Sequence, residues 1–255
     1  MEQFEGFPQK LLFDYAYSKM IARSIPSFLH EINNPLTALS SGAKMLDDDN
    51  LERRFVRELM STVAPSIEKL VQLSDAARVI VKAQNEGDRL INARRIIESL
   101  SMVMNAHWRR DGLRLESQEI ENHAALNLGP AAFALLCYTI ISAIKEFGAV
   151  SDQIEKLIIL EGKKGENAYL VNWKTSGSIL GADDSWREAG DKTYLLPFQT
   201  DQCNDEFLGL FAQAVEAELN AAGVELTWRY DADEALCSIK IPLHRAGDKD
   251  SDWIG

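Results

Sequence analysis

Within five residues the chain brings together an imidazole, a carboxylate and an amide: His30, Glu31 and Asn34, in the string Phe28-Leu29-His30-Glu31-Ile32-Asn33-Asn34-Pro35-Leu36. An imidazole with an ordinary pKa of about 6.5 is largely neutral and nucleophilic at neutral pH, and an adjacent carboxylate can hold or accept its proton. Those are the requirements of a histidine that accepts a phosphoryl group. If the string is helical, Asn34 lies one turn from His30 on the same face, while Glu31 points about 100° further round. Pro35 removes a backbone donor and is expected to loosen or bend the helix, releasing a carbonyl one turn back. A helical histidine beside a glutamate is more commonly a surface ion pair, so the surrounding sequence has to decide.

That surrounding sequence is strongly periodic. Ile25, Leu29, Ile32, Leu36, Leu39, Ala43 and Leu46 are spaced alternately by four and three, a heptad seam that places His30 at its exposed edge. The acidic run Asp47, Asp48, Asp49 and Asn50 interrupts it, and Val56, Met60, Val63, Ile67 and Leu70 resume the same spacing. Two long helices around a short polar turn make an antiparallel hairpin. Phe28, Leu59 and Leu73 widen the apolar stripes beyond a two-helix seam. Two hairpins pairing into a four-helix bundle would cover them, so a homodimer through this region is expected; packing of the hairpin on the rest of its own chain is the alternative.

After Ala83 a polar break, Gln84 to Asp88, separates the hairpin from a mixed text. Helices are predicted over Arg94 to Trp108, Pro130 to Phe147 and Glu206 to Ala222. Strands are predicted over Leu113 to Ile120, Ile154 to Leu160, Ala168 to Trp173, Val224 to Tyr230 and Ala235 to Ile241. The fold class is α+β: an N-terminal helical hairpin (residues 1–86), an α/β sandwich with a mixed sheet (87–245) and a polar tail (246–255).

Composition narrows the function classes. The 255 residues carry 27 Lys and Arg against 39 Asp and Glu, a net charge of −12 that disfavours nucleic acid and anionic lipid as partners. No apolar run suits a membrane span and the N-terminus lacks the character of a secretory signal, so a cytoplasmic protein is expected. Cys137, Cys203 and Cys237 are far apart and read as reduced, mostly buried thiols. With three cysteines and four scattered histidines a metal site has no support; His107, His123 and His244 stand outside any constellation. Arg109 and Arg110 read as a solvated face, and Trp173, Trp186 and Trp228 as core or rim residues.

The string His-Glu-Ile-Asn-Asn-Pro-Leu, on a hairpin that precedes an α+β domain, closely resembles the H-box of two-component sensor histidine kinases. The first 85 or so residues resemble their dimerisation and phosphotransfer domain. The resemblance implies that His30 carries the phosphoryl group, that Glu31 assists proton removal, and that Asn34 orients the phosphoryl donor or a water. The remainder resembles the family's GHKL-type ATP-binding module, shared with gyrase and MutL, in a degenerate form. Where the family has two helical asparagines, this chain has Tyr138 and Ser142, and a hydroxyl is a poorer magnesium ligand than an amide. Where an Asp-x-Gly-x-Gly turn should accept adenine, Lys174-Thr175-Ser176-Gly177-Ser178-Ile179 offers no carboxylate. Leu196 to Thr200 resembles the start of the lid, and Leu208-Gly209-Leu210 the end of the phosphate turn, with Asp205 and Phe207 where two glycines belong. A carboxylate and a benzyl group there oppose a triphosphate and its close approach to the backbone.

An acceptor helix beside a disabled nucleotide site, with no sensor domain in view, resembles the alphaproteobacterial histidine phosphotransferases. The expected function is therefore histidine phosphotransfer in a phosphorelay. His30 would exchange a phosphoryl group with response-regulator receiver domains, whose own magnesium serves the reaction, and this chain would bind no cofactor or metal. The alternatives are an active kinase with a divergent ATP site and a non-catalytic dimeric regulator that docks receivers or kinases; phosphatase activity through Asn34 is compatible with the first reading.

Overall fold

A computed structural model of the chain describes residues 8–46, 53–84, 92–120, 126–147, 156–165, 167–176, 207–230 and 234–243. The acidic turn at 47–50, Cys203, His123, His244, Trp186, the lid-like segment 196–200, Asp205 and the polar tail lie outside the described residues.

Helix α1 spans Gln9–Leu46 and α2 spans Arg53–Ala83. They run antiparallel, because the Tyr17 hydroxyl donates to the Ile80 carbonyl at 2.7 Å near one end while Gly42 faces Leu59 and Val63 near the other. Gly42 suits this close approach: a Cβ at that position would meet the Leu59 side chain at 3.0 Å, so that side chain would have to shift to admit it. The hairpin is thus present, but it packs on a different face from the one expected. Ile25, Leu29 and Leu36 of the heptad seam are 47%, 51% and 46% exposed, as are Met60 and Ile67 at 54% and 50%.

The inward face of α1 is instead Leu12, Ala16, Met20, Ser24, Ser27, Pro35 and Gly42, and that of α2 is Leu59, Ser66, Leu73, Ala76, Ile80 and Ala83. Small and hydroxylated residues allow the helices close approach but contribute little to an apolar pattern. The heptad seam records the outer stripe. At about 100° per residue, the exposed Leu11, Tyr15, Ile25, Leu29 and Leu36 fall within about 80° of one another, opposite the buried face. On α2 the exposed Met60, Ile67, Val71 and Val81 are disposed the same way. Each helix of the hairpin is therefore apolar on two sides.

The second region begins with α3, Ala93–Arg110, whose first turn is capped by the Asn92 side chain accepting from the Arg95 amide at 2.9 Å. Strand β1 (Leu113–Ile120), α4 (Pro130–Phe147) and β2 (Lys156–Lys164) follow, with β1 and β2 paired in parallel across the α4 crossover. Strand β3 (Ala168–Ser176), α5 (Leu208–Ala222), β4 (Glu225–Tyr230) and β5 (Glu234–Pro242) complete the described elements. The sheet order is β1-β2-β3-β5-β4, antiparallel except for the first pair. Elements predicted from sequence recur within a few residues at their ends, and the α+β class and mixed sheet hold.

Period-two alternation buries Tyr169, Val171 and Trp173 of β3 with Cys237, Ile239 and Ile241 of β5, and leaves Leu170 and Lys240 outside. Helix α4 is buried on all sides from Ala131 to Ile144 and forms the centre of the molecule. Gly223, at a φ of 66°, ends α5 in the left-handed conformation open to glycine.

One continuous core joins the two regions. Leu12, Ala16, Tyr17 and Met20 of α1 and Ile80 and Ala83 of α2 belong to the same cluster as the residues of α4, α5 and the sheet. The first half of α1 is consequently a structural element of the sandwich as well as of the hairpin.

Burial holds the Tyr17 phenol well above its ordinary value, so its proton, and the bond to Ile80, is retained in the fold. The stabilisation is complete below the unfolded phenol's pKa of about 10 and is lost as pH rises beyond it. Urea unfolding should show Tyr17→Phe about 0.5–1.5 kcal/mol less stable near neutral pH, with a shallower decline than wild type above pH of about 10.

Candidate functional site

His30 is exposed on α1, about 90° from both the buried face and the outer apolar stripe. Asn34 is exposed one turn on and shares its flank, whereas Glu31 is half-buried and faces the sandwich. The helix runs unbroken through Pro26 and Pro35. Pro35 is buried, and lacking an N–H it cannot donate to the carbonyl of Glu31, one turn back beside the imidazole.

The face of α1 next to His30 meets α3 through polar contacts on consecutive turns. The Asn105 side chain donates from Nδ2 to Glu31 Oε1 at 3.3 Å, and the backbone N–H of His107 donates to Ser27 Oγ at 3.0 Å. His107 was expected to lie outside any constellation; it belongs instead to a half-buried cluster. Its Nε2 is 3.6 Å from Asp111 Oδ2, that same oxygen is 2.7 Å from Lys145 Nζ of α4, and Arg110 Nη2 is 3.0 Å from His107 Nδ1. Burial lowers the His107 pKa; Asp111 opposes that effect, while Lys145, Arg110 and Arg23 add to it. The Asp111 carboxylate also pairs with Lys145, so it offsets the effect of burial on the ring only in part. Arg109 is exposed, in keeping with a solvated face, but Arg110 is engaged with His107.

The positions that the sequence comparison set against a nucleotide site hold packed side chains. Tyr138 is buried on α4 and meets Phe211 of α5 edge-to-face, with ring centroids 5.4 Å apart. Phe207, at the start of α5, stacks on Phe211 at 6.3 Å. From α1, Lys19 lies 5.4 Å from the Phe207 ring centre, and Arg23 lies 5.5 Å from Phe207 and 5.9 Å from Phe211. Gln9 Nε2 donates to the Ala214 carbonyl at 3.3 Å, fastening the start of α1 along α5. Ser142 is nearly buried, and Lys174 pairs with Glu161 at 3.5 Å across the sheet. Cys137 and Cys237 are buried free thiols whose pKa values burial raises. They are packing residues, as is Trp173.

Comparison with solved structures places histidine kinases beside this backbone. The chain is similar to Acinetobacter baumannii histidine kinase AdeS, at 14% identity and a TM-score of 0.44, over 85% of this chain and 98% of that one. It is similar to the histidine kinase domain of the blue-light-activated histidine kinase EL346 from Erythrobacter litoralis, at 13% identity and a TM-score of 0.44, over 85% and 95%. A third neighbour is a bacterial phosphotransferase, at 13% identity and a TM-score of 0.42, over 87% and 95%. No family model and no curated protein sequence matches the chain. None of the helices among the described residues is long and apolar enough to cross a membrane.

The three residues singled out from the sequence are thus sorted by the fold: His30 and Asn34 stand on an accessible flank, and Glu31 is held by α3. Sequence reasoning did not find Asn105, His107 and Ser27. Their partners are 74 to 80 positions away, and no local periodicity reports such pairings.

A histidine whose pKa is lowered by its fold binds fewer protons there than it does unfolded, so stability is full above the unfolded pKa of about 6.5 and declines as pH falls through it. His107→Gln should flatten the dependence of the urea midpoint on pH between about 7 and 5.

Proposed function

We propose that this chain is a histidine phosphotransferase of a two-component phosphorelay, accepting and donating a phosphoryl group at His30 in exchange with receiver domains. The observation that supports it best is the pairing of an exposed imidazole within an intact H-box string with α4 and α5 helices whose intervening space is filled by Tyr138 and Phe211. A kinase must also carry its nucleotide to the histidine. Here the first half of α1 shares one core with α4 and α5, which opposes any swing of the sandwich relative to His30.

Transfer from a receiver needs little from the acceptor. The imidazole is presented in line at about 3 Å from the phosphorus, and the receiver brings its aspartyl phosphate and magnesium. The N–P bond forms as the P–O bond to the aspartate breaks, and the receiver's carboxylate departs with the electron pair. The imidazolium character that develops is balanced by Glu31, and Asn34, on the same flank as His30, can bond a phosphoryl oxygen or a water. The sandwich then serves as a scaffold and a second docking surface for receivers, in place of an ATPase.

The doubly apolar hairpin helices support a homodimer. Leu29 and Leu36 of α1 and Met60 and Ile67 of α2 are exposed apolar residues that a second hairpin would cover in a four-helix bundle. His30 lies beside that stripe rather than within it, so dimer formation leaves it accessible.

Purified protein mixed with a radiolabelled phosphoreceiver should acquire acid-labile label on His30, and His30→Gln should abolish it. ATP with magnesium should leave His30 unlabelled; labelling from ATP would assign the chain to the kinases instead. If His30→Ala left signalling intact, the non-catalytic docking reading would replace this one. Leu29→Glu combined with Ile67→Glu should shift the mass measured by light scattering from two protomers to one.

A further inference from the structure

Glu31 is next to His30 in sequence, but neighbouring residues on a helix do not face each other. Left to itself, the Glu31 side chain would sample rotamers over the α1–α3 groove and meet the imidazole only occasionally. The structure supplies a reason for it to stay: Asn105, on α3 of the sandwich, donates from Nδ2 to Oε1 of the carboxylate. One turn away on α1, the His107 N–H holds Ser27, which fixes the distance between the two helices at this level. The end of α3 is secured in turn by the Lys145–Asp111 pair at 2.7 Å.

We infer that Asn105 is a positioning residue for phosphoryl exchange at His30, an inference that rests on the reading proposed above. Its amide engages one carboxylate oxygen, which keeps the carboxylate and its charge on the turn of α1 that carries the imidazole. An uncharged donor suits this task. A lysine there would neutralise the carboxylate, whereas an amide restrains it and leaves its charge available. When Nε2 of His30, the ring nitrogen farther from the helix, forms the bond to phosphorus, the proton stays on Nδ1. The positive charge that appears there is balanced by the Glu31 carboxylate, which shares or takes that proton, while the receiver's aspartate leaves as carboxylate. On this account the sandwich contributes a side chain to the reaction despite its degenerate nucleotide positions.

The test is transfer from a phosphoreceiver to the full-length protein, with rate followed as receiver concentration is raised. Asn105→Ala should lower the saturating rate about tenfold or more, while the half-saturating receiver concentration stays within about twofold of wild type. Glu31→Gln keeps the acceptor but removes the charge, and should lower the saturating rate similarly with the thermal midpoint unchanged. In the Glu31→Gln background Asn105→Ala should have no further effect on rate, because the two act as one unit. A wild-type saturating rate in Asn105→Ala would overturn the inference, as would full additivity of the two substitutions, which would mark Asn105 as a structural tether only. Labelled wild type with unaffected Asn105→Ala removes the positioning role alone; absence of label on wild-type His30 removes the phosphotransfer reading with it.

Discussion

Helix α1 has to satisfy two packings at once, and the rest of the molecule follows from how it does so. One face is lined with Ala16, Ser24, Ser27 and Gly42, residues small enough to let α2 and the sandwich approach the helix backbone. The opposite face carries the large residues Ile25, Leu29 and Leu36 and leaves them outside. Between these faces lies a narrow flank with neither demand, and His30 and Asn34 occupy it. A reactive group placed on either apolar face would be buried by its own chain or by whatever covers the outer stripe.

The same geometry explains why polar residues collect where they do. The α1–α3 junction lies at the margin of the core, where Ser27, Glu31, Asn105 and His107 can be partly desolvated and still find partners. A half-buried carboxylate is costly unless it accepts a hydrogen bond, and Asn105 meets that need without cancelling its charge. Further along α1, Lys19 and Arg23 lie over the rings of Phe207 and Phe211. Their hydrocarbon stems and cationic heads suit a boundary between aromatic packing and solvent.

Much of this architecture is legible in the sequence. The two hairpin helices, the strands bounded by polar breaks and the all-round apolar helix from Pro130 to Phe147 follow from local periodicity, and they recur in the structure. The choice of face does not. Periodicity counts large apolar residues, so it found the Leu29–Leu36 stripe and passed over the buried Ala16–Gly42 one, whose small residues add little to an apolar pattern. Of the candidate site, the accessibility of His30 could be read from its place beside the seam. The anchoring of Glu31 could not, since it depends on which residue of α3 arrives opposite, a property of tertiary packing across 74 positions.

The contact of α1 with α5 also constrains what this chain can become. The ring of Phe207 supports two cations from a helix nearly two hundred positions earlier, and Phe211 beneath it supports Tyr138. Replacing Phe207 with glycine would leave Lys19 and Arg23 above a hole and loosen the contact of α1 with α5. The aromatic filling therefore couples three helices: a change at Phe207 or Phe211 is felt on α1 and on α4 together, so substitutions at these rings are tolerated only with compensating changes on the helices they touch.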